Sequence, residues 1–159
     1  MDELLEILQS NALLPREDIA RMLELPVDKV KERIAEYEKR GVIRGYQAIL
    51  NEDQLDLDKV TAVIEVKVTP QREGGFDTFA ERISRFPEVR SAYLMSGTYD
   101  LLLFVEGRTL REVAAFVSER LSPLQGVLST STHFMLKTYK RFGVLMHKES
   151  SDERLTVSP

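Results

Sequence analysis

Apolar positions recur at two different periods along the chain, and the change of period divides it. In DELLEILQS, Leu4, Leu5 and Leu8, with Ile7 beside them, share one helical face. The pattern breaks at Asn11. Pro15 then opens a second helix, REDIARMLEL, striped by Ile19, Met22 and Leu23, with Glu17 and Asp18 at its positive end. Pro26 opens a third, PVDKVKERIAEYEKR, striped by Val27, Val30, Ile34 and Tyr37, and Gly41 ends it as a C′ glycine. VIRGYQAIL follows with two β-prone pieces around Arg44-Gly45, the pattern of a small hairpin or wing.

NEDQLDLDK, residues 51–59, is acidic and weakly periodic and reads as a linker. From Val60 the period becomes two. VTAVIEVKV places Val60, Ala62, Ile64, Val66 and Val68 on one side of a strand. A loop, PQREGG, leads to a helix with Phe76, Phe79, Ile83 and Phe86 at helical spacing. VRSAYLMS and LLLFVEG read as strands joined by the turn SGTYD, and the unbroken run LLLFV suggests a strand buried on both faces. LREVAAFVSERL is a second helix carrying Leu110, Val113, Ala114, Val117 and Leu121, and VLSTSTHFML is a fourth strand.

A weak repeat supports this order. Ile64, Phe79, Val89 and Ser91 recur 38 residues later as Leu102, Val117, Val127 and Ser129. Two such halves make a ferredoxin-like unit. The fold class is therefore α+β, an N-terminal winged helix-turn-helix over residues 1–50 joined through residues 51–59 to a C-terminal βαββαβ domain over residues 60–146. With both helices on one face, the other face of the sheet is bare. Tyr93, Leu101, Leu103, Phe104 and Phe134 put apolar residues on both sides, so pairing with a second copy is expected, as a dimer. TYKRFGVLM adds a short fifth strand that docks on a neighbour, and the polar residues 147–159 read as a disordered tail.

Composition narrows the chemistry. Among 159 residues there is no cysteine, which excludes disulfides and thiolate metal sites and suits a reducing compartment. MDELLEILQ lacks the basic start of a signal peptide, and LLLFV is far too short to span a membrane. The expectation is a soluble cytoplasmic protein without membrane contact. The histidines are His133 and His147, no ligands stand at metal spacing, and no phosphate loop or nucleophile elbow occurs, so neither an enzyme nor a cofactor is expected. His133 on a strand is the residue an enzyme of this fold would use as a base, but a lone strand histidine is ordinarily structural. Glu73–Gly75 read as a hinge or cap.

The whole chain carries a net charge of −4, and residues 1–50 carry eight basic against ten acidic side chains. Residues 29–44 reverse this, with six basic against three acidic. The candidates for contact with double-stranded DNA are accordingly Lys29, Lys31, Arg33, Arg40 and Arg44 for phosphates, with Glu32, near the groove-facing side beside Asp28, as an acceptor for a cytosine amino group. A solvated, salt-bridged helix that meets protein rather than DNA is the alternative.

EIL…EDIARMLEL…KVKERIAEYEKRGVIRGYQAIL resembles the DNA-binding half of the Lrp/AsnC transcriptional regulators, most specifically in RGVIRGYQAIL with Gly41, Ile43, Gly45, Tyr46 and Ala48. FPEVRSAYLMSGTYDLLLFVEG and VLSTSTHFMLK resemble that family's ligand-sensing (RAM) domain, so the likeness covers about residues 1–146. Where the family often has consecutive basic residues after the position of Arg33, this chain has Ala35 and Glu36. The resemblance implies a sequence-specific DNA-binding regulator controlled by a small-molecule effector, an amino acid. It implies a pocket bordered by the Gly-x-x-Asp turn where dimers meet in an even-numbered ring such as an octamer. By it, Gly97, Tyr99 and Asp100 carry over as effector residues. Gly97 lets backbone approach the ligand, and Asp100 accepts from an α-amino group. Thr130 and Thr132, on one face of the last strand, join them. Against this stands a plain turn role for Asp100, bonded to its own backbone. The alternative function is a stand-alone amino-acid sensor whose helical head contacts protein.

Overall fold

The three N-terminal helices form as their apolar spacing predicts. The computed structural model describes residues 2–69 and 75–146, so residues 70–74 of the expected loop and the expected tail with His147 lie outside the described residues. The chain divides into two compact units, Met1–Ile49 and Leu50–Pro159. In the first, α1 spans Glu3–Ser10, α2 Arg16–Met22 and α3 Val27–Lys39. Asp2 caps α1 by accepting from the Leu4 N–H at 2.9 Å. Pro15 and Pro26 precede α2 and α3, where a missing N–H costs nothing. Leu4, Ile7, Leu8, Ile19, Ala20, Val30 and Ile34 make the core, with Leu23, Val27, Tyr37 and Ile43 packed on it. Each fully buried aliphatic side chain contributes roughly 1.5–3 kcal/mol. Met22, expected in that stripe, is exposed, because Ala20 takes the inward position on the short α2.

Glu24 turns the chain between α2 and α3 with φ +54, and Leu25 N–H closes the turn onto the Ala20 carbonyl at 3.0 Å. Gly41 ends α3 at φ +71, the left-handed conformation a C′ residue needs. The two β-prone pieces after it do not pair into a hairpin. Residues 43–50 have no strand assignment, and Gly45 is absent from the positive-φ residues that a tight hairpin turn requires. Tyr46 still reaches back, its hydroxyl donating to Glu38 Oε1 at 2.9 Å.

The second unit holds a four-stranded sheet in the order β2-β3-β1-β4, with every neighbour antiparallel. Its strands are β1 Val60–Val68, β2 Val89–Leu94, β3 Leu101–Gly107 and β4 Val127–Phe134. Helix α4, Asp77–Ser84, and helix α5, Leu110–Ala115, complete the βαββαβ order. Ala62, Ile64, Val66, Leu101, Leu103 and Val105 are fully buried against Phe79, Ile83, Val113, Phe116 and Leu121.

Several expectations are corrected here. Strand β3 is not buried on both faces: Leu101, Leu103 and Val105 are buried, whereas Leu102 and Phe104 stay part-exposed, since among the described residues helices cover one face alone. Register settles which residues share that open face, and Leu101, Leu103 and Phe134 do not. Phe134 pairs with Ala62, and Leu101 with Val66, both on the helix side. The second helix changes register, running from α5 into a π turn at Phe116–Leu121. Its inward residues are therefore Val113, Phe116 and Leu121, while Leu110 and Ala114 are exposed. TYKRFGVLM folds on itself rather than as one strand. Lys140–Arg141, β5, pairs with Val144–Leu145, β6, across a Phe142-Gly143 turn in which both φ are positive.

Residues 51–59 are docked within the second unit. A 3₁₀ turn at Glu52–Gln54 places Glu52 on Lys59 Nζ at 2.7 Å and Arg141 Nη1 at 2.9 Å. Lys59 also meets Glu106 at 3.2 Å, and Arg90 meets the other Glu106 oxygen at 3.2 Å. The Asn51 amide donates to the Met146 carbonyl.

Candidate functional site

Helix α3 presents its outward side opposite Val30 and Ile34. Asp28, Glu32, Ala35, Glu36 and Lys39 occupy that side and all are exposed. The flanking cations lean across it: Lys29 to Glu32 at 3.1 Å, Lys31 to Asp28 at 3.7 Å and Arg40 to Glu36 at 3.3 Å. Exposed pairs of this kind are worth about 0.2–1 kcal/mol, so each cation exchanges partner readily. Among the described residues Lys39 and Arg44 have no carboxylate partner.

Arg33 is placed differently from the other four basic candidates. It lies on the flank of the buried stripe and donates through Nη2 to Asp2 Oδ2, the same oxygen that accepts from the Tyr37 hydroxyl. Its side chain is about one-third exposed, against roughly 60% for Lys29, Lys31 and Arg40. The Tyr37 hydrogen bond, with the Leu4 N–H and Arg33 behind it, holds the Asp2 carboxyl below its ordinary value, and Tyr37 and Asp2 raise Arg33. Aspartate just before an apolar-periodic run signals a cap at the level of sequence. Its reach to α3 was not legible, because the contact spans 31 residues.

In the second unit, Gly97 adopts φ +149, with open space where a Cβ would project. The Asp100 side chain does not bond to its own turn, although its backbone carbonyl closes it. Its Oδ2 accepts from the Val68 N–H at 2.8 Å, its N–H donates to the Val66 carbonyl at 3.0 Å, and its carbonyl accepts from Met95 N–H at 2.8 Å. Asp100 thus prolongs the β1–β3 ladder where β1 shifts register at Lys67/Val68. The carboxylate satisfies a buried N–H and keeps its second oxygen uncommitted among the described residues. Tyr99 lies beside it, half-buried.

Thr130 and Thr132 pair with Val66 and Ile64, which places them on the helix face, and Thr130 Oγ1 meets Ser122 Oγ at 3.4 Å. Asp100 lies across β1 from them and follows the phase of Leu102 and Phe104 on the open face. Two strand spacings, about 10 Å, separate β3 from β4. One chain therefore does not bring the turn and the threonine pair together. A groove of about 280 Å³ lies elsewhere in this unit, lined by residues between Leu50 and Thr61 and between Met135 and Met146, and includes none of the five effector candidates.

On the open face His133 Nε2 stands 3.2 Å from Ser131 Oγ and 3.7 Å from Glu65 Oε1. Both neighbours meet the same ring nitrogen, which is not the arrangement of a base held by one group and serving another. Among the described residues no cluster of three or more His, Cys, Asp or Glu side chains is placed to hold a metal, and no helix is long and apolar enough to cross a membrane.

A three-helix head with a short turn before its exposed third helix, carried on a βαββαβ domain, defines a DNA-binding regulator with a sensing domain. Residues 3–44 match the model of winged helix-turn-helix DNA-binding domains, and residues 61–145 match that of the Lrp/AsnC ligand binding domain. The chain belongs to the Lrp/AsnC family of transcriptional regulators. It is 49% identical over 158 residues to the uncharacterized HTH-type transcriptional regulator YugG of Bacillus subtilis (strain 168), covering 99% of this chain and 95% of that one. It is 33% identical to the proline dehydrogenase transcriptional activator of Rhodobacter capsulatus, covering 84% and 86%. A solved Neisseria meningitidis transcriptional regulator in complex with L-Met superposes with TM-score 0.68 at 26% identity, covering 89% of this chain and 93% of that one.

Proposed function

We propose that this regulator binds operator DNA through α3 and the segment after it, under control of an amino acid held at the Gly97–Asp100 turn of a self-associated form. The observation that carries the DNA reading is the exchangeable character of the α3 surface. Lys29, Lys31 and Arg40 are held by exposed carboxylates that phosphates can replace, and Arg44 is already available among the described residues. Glu32 on the outward side then accepts from a cytosine amino group. The effector reading is supported by the L-Met bound to the Neisseria regulator and by the uncommitted Asp100 oxygen. Because Thr130 and Thr132 face away from Asp100 in one chain, they join the site only through another copy. The open sheet face supports a dimer, and dimers assemble into an even-numbered ring. Such a protein acts in the cytoplasm.

The acidic outward side of α3 also favours the alternative, a sensor whose head meets protein. Binding of purified protein to DNA from its own upstream region, measured at two salt concentrations, separates them. Tight binding that weakens steeply with salt supports the regulator, and Lys31→Ala weakens it. No binding at low salt, with an amino acid still raising the melting temperature, supports the sensor.

A further inference from the structure

We infer that Asp2 and Arg33 are positioning residues for DNA binding: the Asp2 carboxylate joins the first turn of α1 to the middle of α3, and Arg33 serves that junction instead of a phosphate. The inference rests on the DNA-binding reading of α3 and assigns one of its cations a different task.

Three partners converge on Asp2. Oδ1 accepts from the Leu4 N–H at 2.9 Å and so begins α1, while Oδ2 accepts from both the Arg33 guanidinium and the Tyr37 hydroxyl. Arg33 and Tyr37 are four apart and so lie above one another on one flank of α3. The carboxylate therefore fixes both the rotation of α3 about its axis and its offset along α1. Rotation matters because the outward line of α3 is narrow. Asp28, Glu32, Ala35, Glu36 and Lys39 span it, and a modest turn replaces Glu32 and Lys39 with their neighbours. The apolar contacts beneath are aliphatic, from Leu4, Val30 and Ile34, and tolerate sliding far better than a three-partner carboxylate does.

The same geometry withdraws Arg33 from the phosphate count. A guanidinium committed to a carboxylate, on the flank of the buried stripe, must break that bond before it reaches DNA. Lys29, Lys31 and Arg40 break only exposed pairs on the outward side.

The test measures Kd for upstream DNA across a salt series, at temperatures well below each variant's melting point. The variants are Asp2→Asn, which keeps a capping acceptor for Leu4 but loses the charge, Arg33→Gln, the double variant, and Arg33→Lys. Positioning predicts that Asp2→Asn and Arg33→Gln each weaken binding by roughly three- to tenfold. The double variant then binds no more weakly than either single one. Arg33→Lys restores most of the affinity. The slope of log Kd against log salt stays that of the wild type in every case. The inference is overturned if Arg33→Gln reduces the slope by about 0.9, the contribution of one phosphate, or if Asp2→Asn leaves binding unchanged or tighter. Wild-type protein that binds no DNA at any salt removes the DNA reading itself and this inference with it. A wild type that binds, with Arg33→Gln losing salt dependence, removes this inference alone.

Discussion

Asp100 has a structural duty in the β1–β3 ladder and a proposed one toward the effector, and different substitutions separate the two. The Val68 N–H it accepts from belongs to a residue only 4% exposed. Asp100→Ala leaves that donor unpaired and costs about 1–3 kcal/mol, measurable by urea unfolding. The expected loss of amino-acid response is then mixed with a loosened β1 end. Asp100→Asn keeps a side-chain oxygen for Val68 and loses the charge that an α-amino group needs. Stability near that of the wild type with no ligand-induced rise in melting temperature assigns Asp100 to the effector, whereas a normal rise returns it to the ladder. Gly41 is a simpler case. At φ +71, with Arg44 Nη1 3.2 Å from where a Cβ would stand, Gly41→Ala destabilises the head by about 1 kcal/mol, read from thermal melting.

At the level of elements, the π turn reverses a ranking that α-periodicity suggests. Phe116 is 3% exposed and packs edge-on to Phe86 with centroids 5.6 Å apart, while Val117 is only part-buried. Phe116→Ala is expected to cost about 3–5 kcal/mol and Val117→Ala clearly less, compared by urea midpoints at constant slope. The segment 51–59 carries a pH dependence. Lys59 first, then Arg141, holds the Glu52 carboxyl below its ordinary value of 4.5. Its contribution is whole above that value and is lost as pH falls through the lowered folded value. Hydrogen exchange should therefore show residues 51–59 losing protection on acidification, and Glu52→Gln should show the same loss at neutral pH. The helices and the βαββαβ order were legible because period three-to-four and period two are local signals, and Pro15, Pro26 and Gly41 mark their ends. The π turn was not, since its extra residue per turn is chosen by packing of Phe116 on Phe86. Nor was the β5–β6 hairpin, whose turn places Phe142 at φ +47, a conformation the residue itself disfavours. The Gly97–Asp100 turn was legible as a turn between two strands. What Asp100 bonds to was not, because Val68 lies 32 residues away.

At the scale of the whole molecule, the proposed pairing through the open sheet face predicts that assembly and DNA affinity are linked. Register places Val63, Leu102, Phe104 and Tyr93 together there, with Glu65, Ser131 and His133 beside them. Tyr93 is 52% exposed although its ring already meets Phe104 edge-on at 6.1 Å. Face-to-face pairing of two such sheets would cover these rings and bury the Glu65–His133 pair at its border. Phe104→Glu puts a charge at the centre of that face without touching the Leu101, Leu103 and Val105 side of the strand, so the domain still folds. A dimer that depends on the face then loses it, because two buried carboxylates would approach each other across the two-fold axis. Light scattering at micromolar concentration should show dimer or larger for the wild type and monomer for Phe104→Glu, with matching circular dichroism. The two heads of a dimer bind as one ligand, at an effective concentration that adds about 10²–10⁴ to the affinity of either alone. Phe104→Glu should accordingly weaken operator binding at least tenfold, although the substitution lies on the sheet of the second unit and removes no basic residue from α3. A monomeric variant with unchanged operator affinity would mean that one head suffices, and a variant that remains dimeric would move the interface to another surface of the second unit.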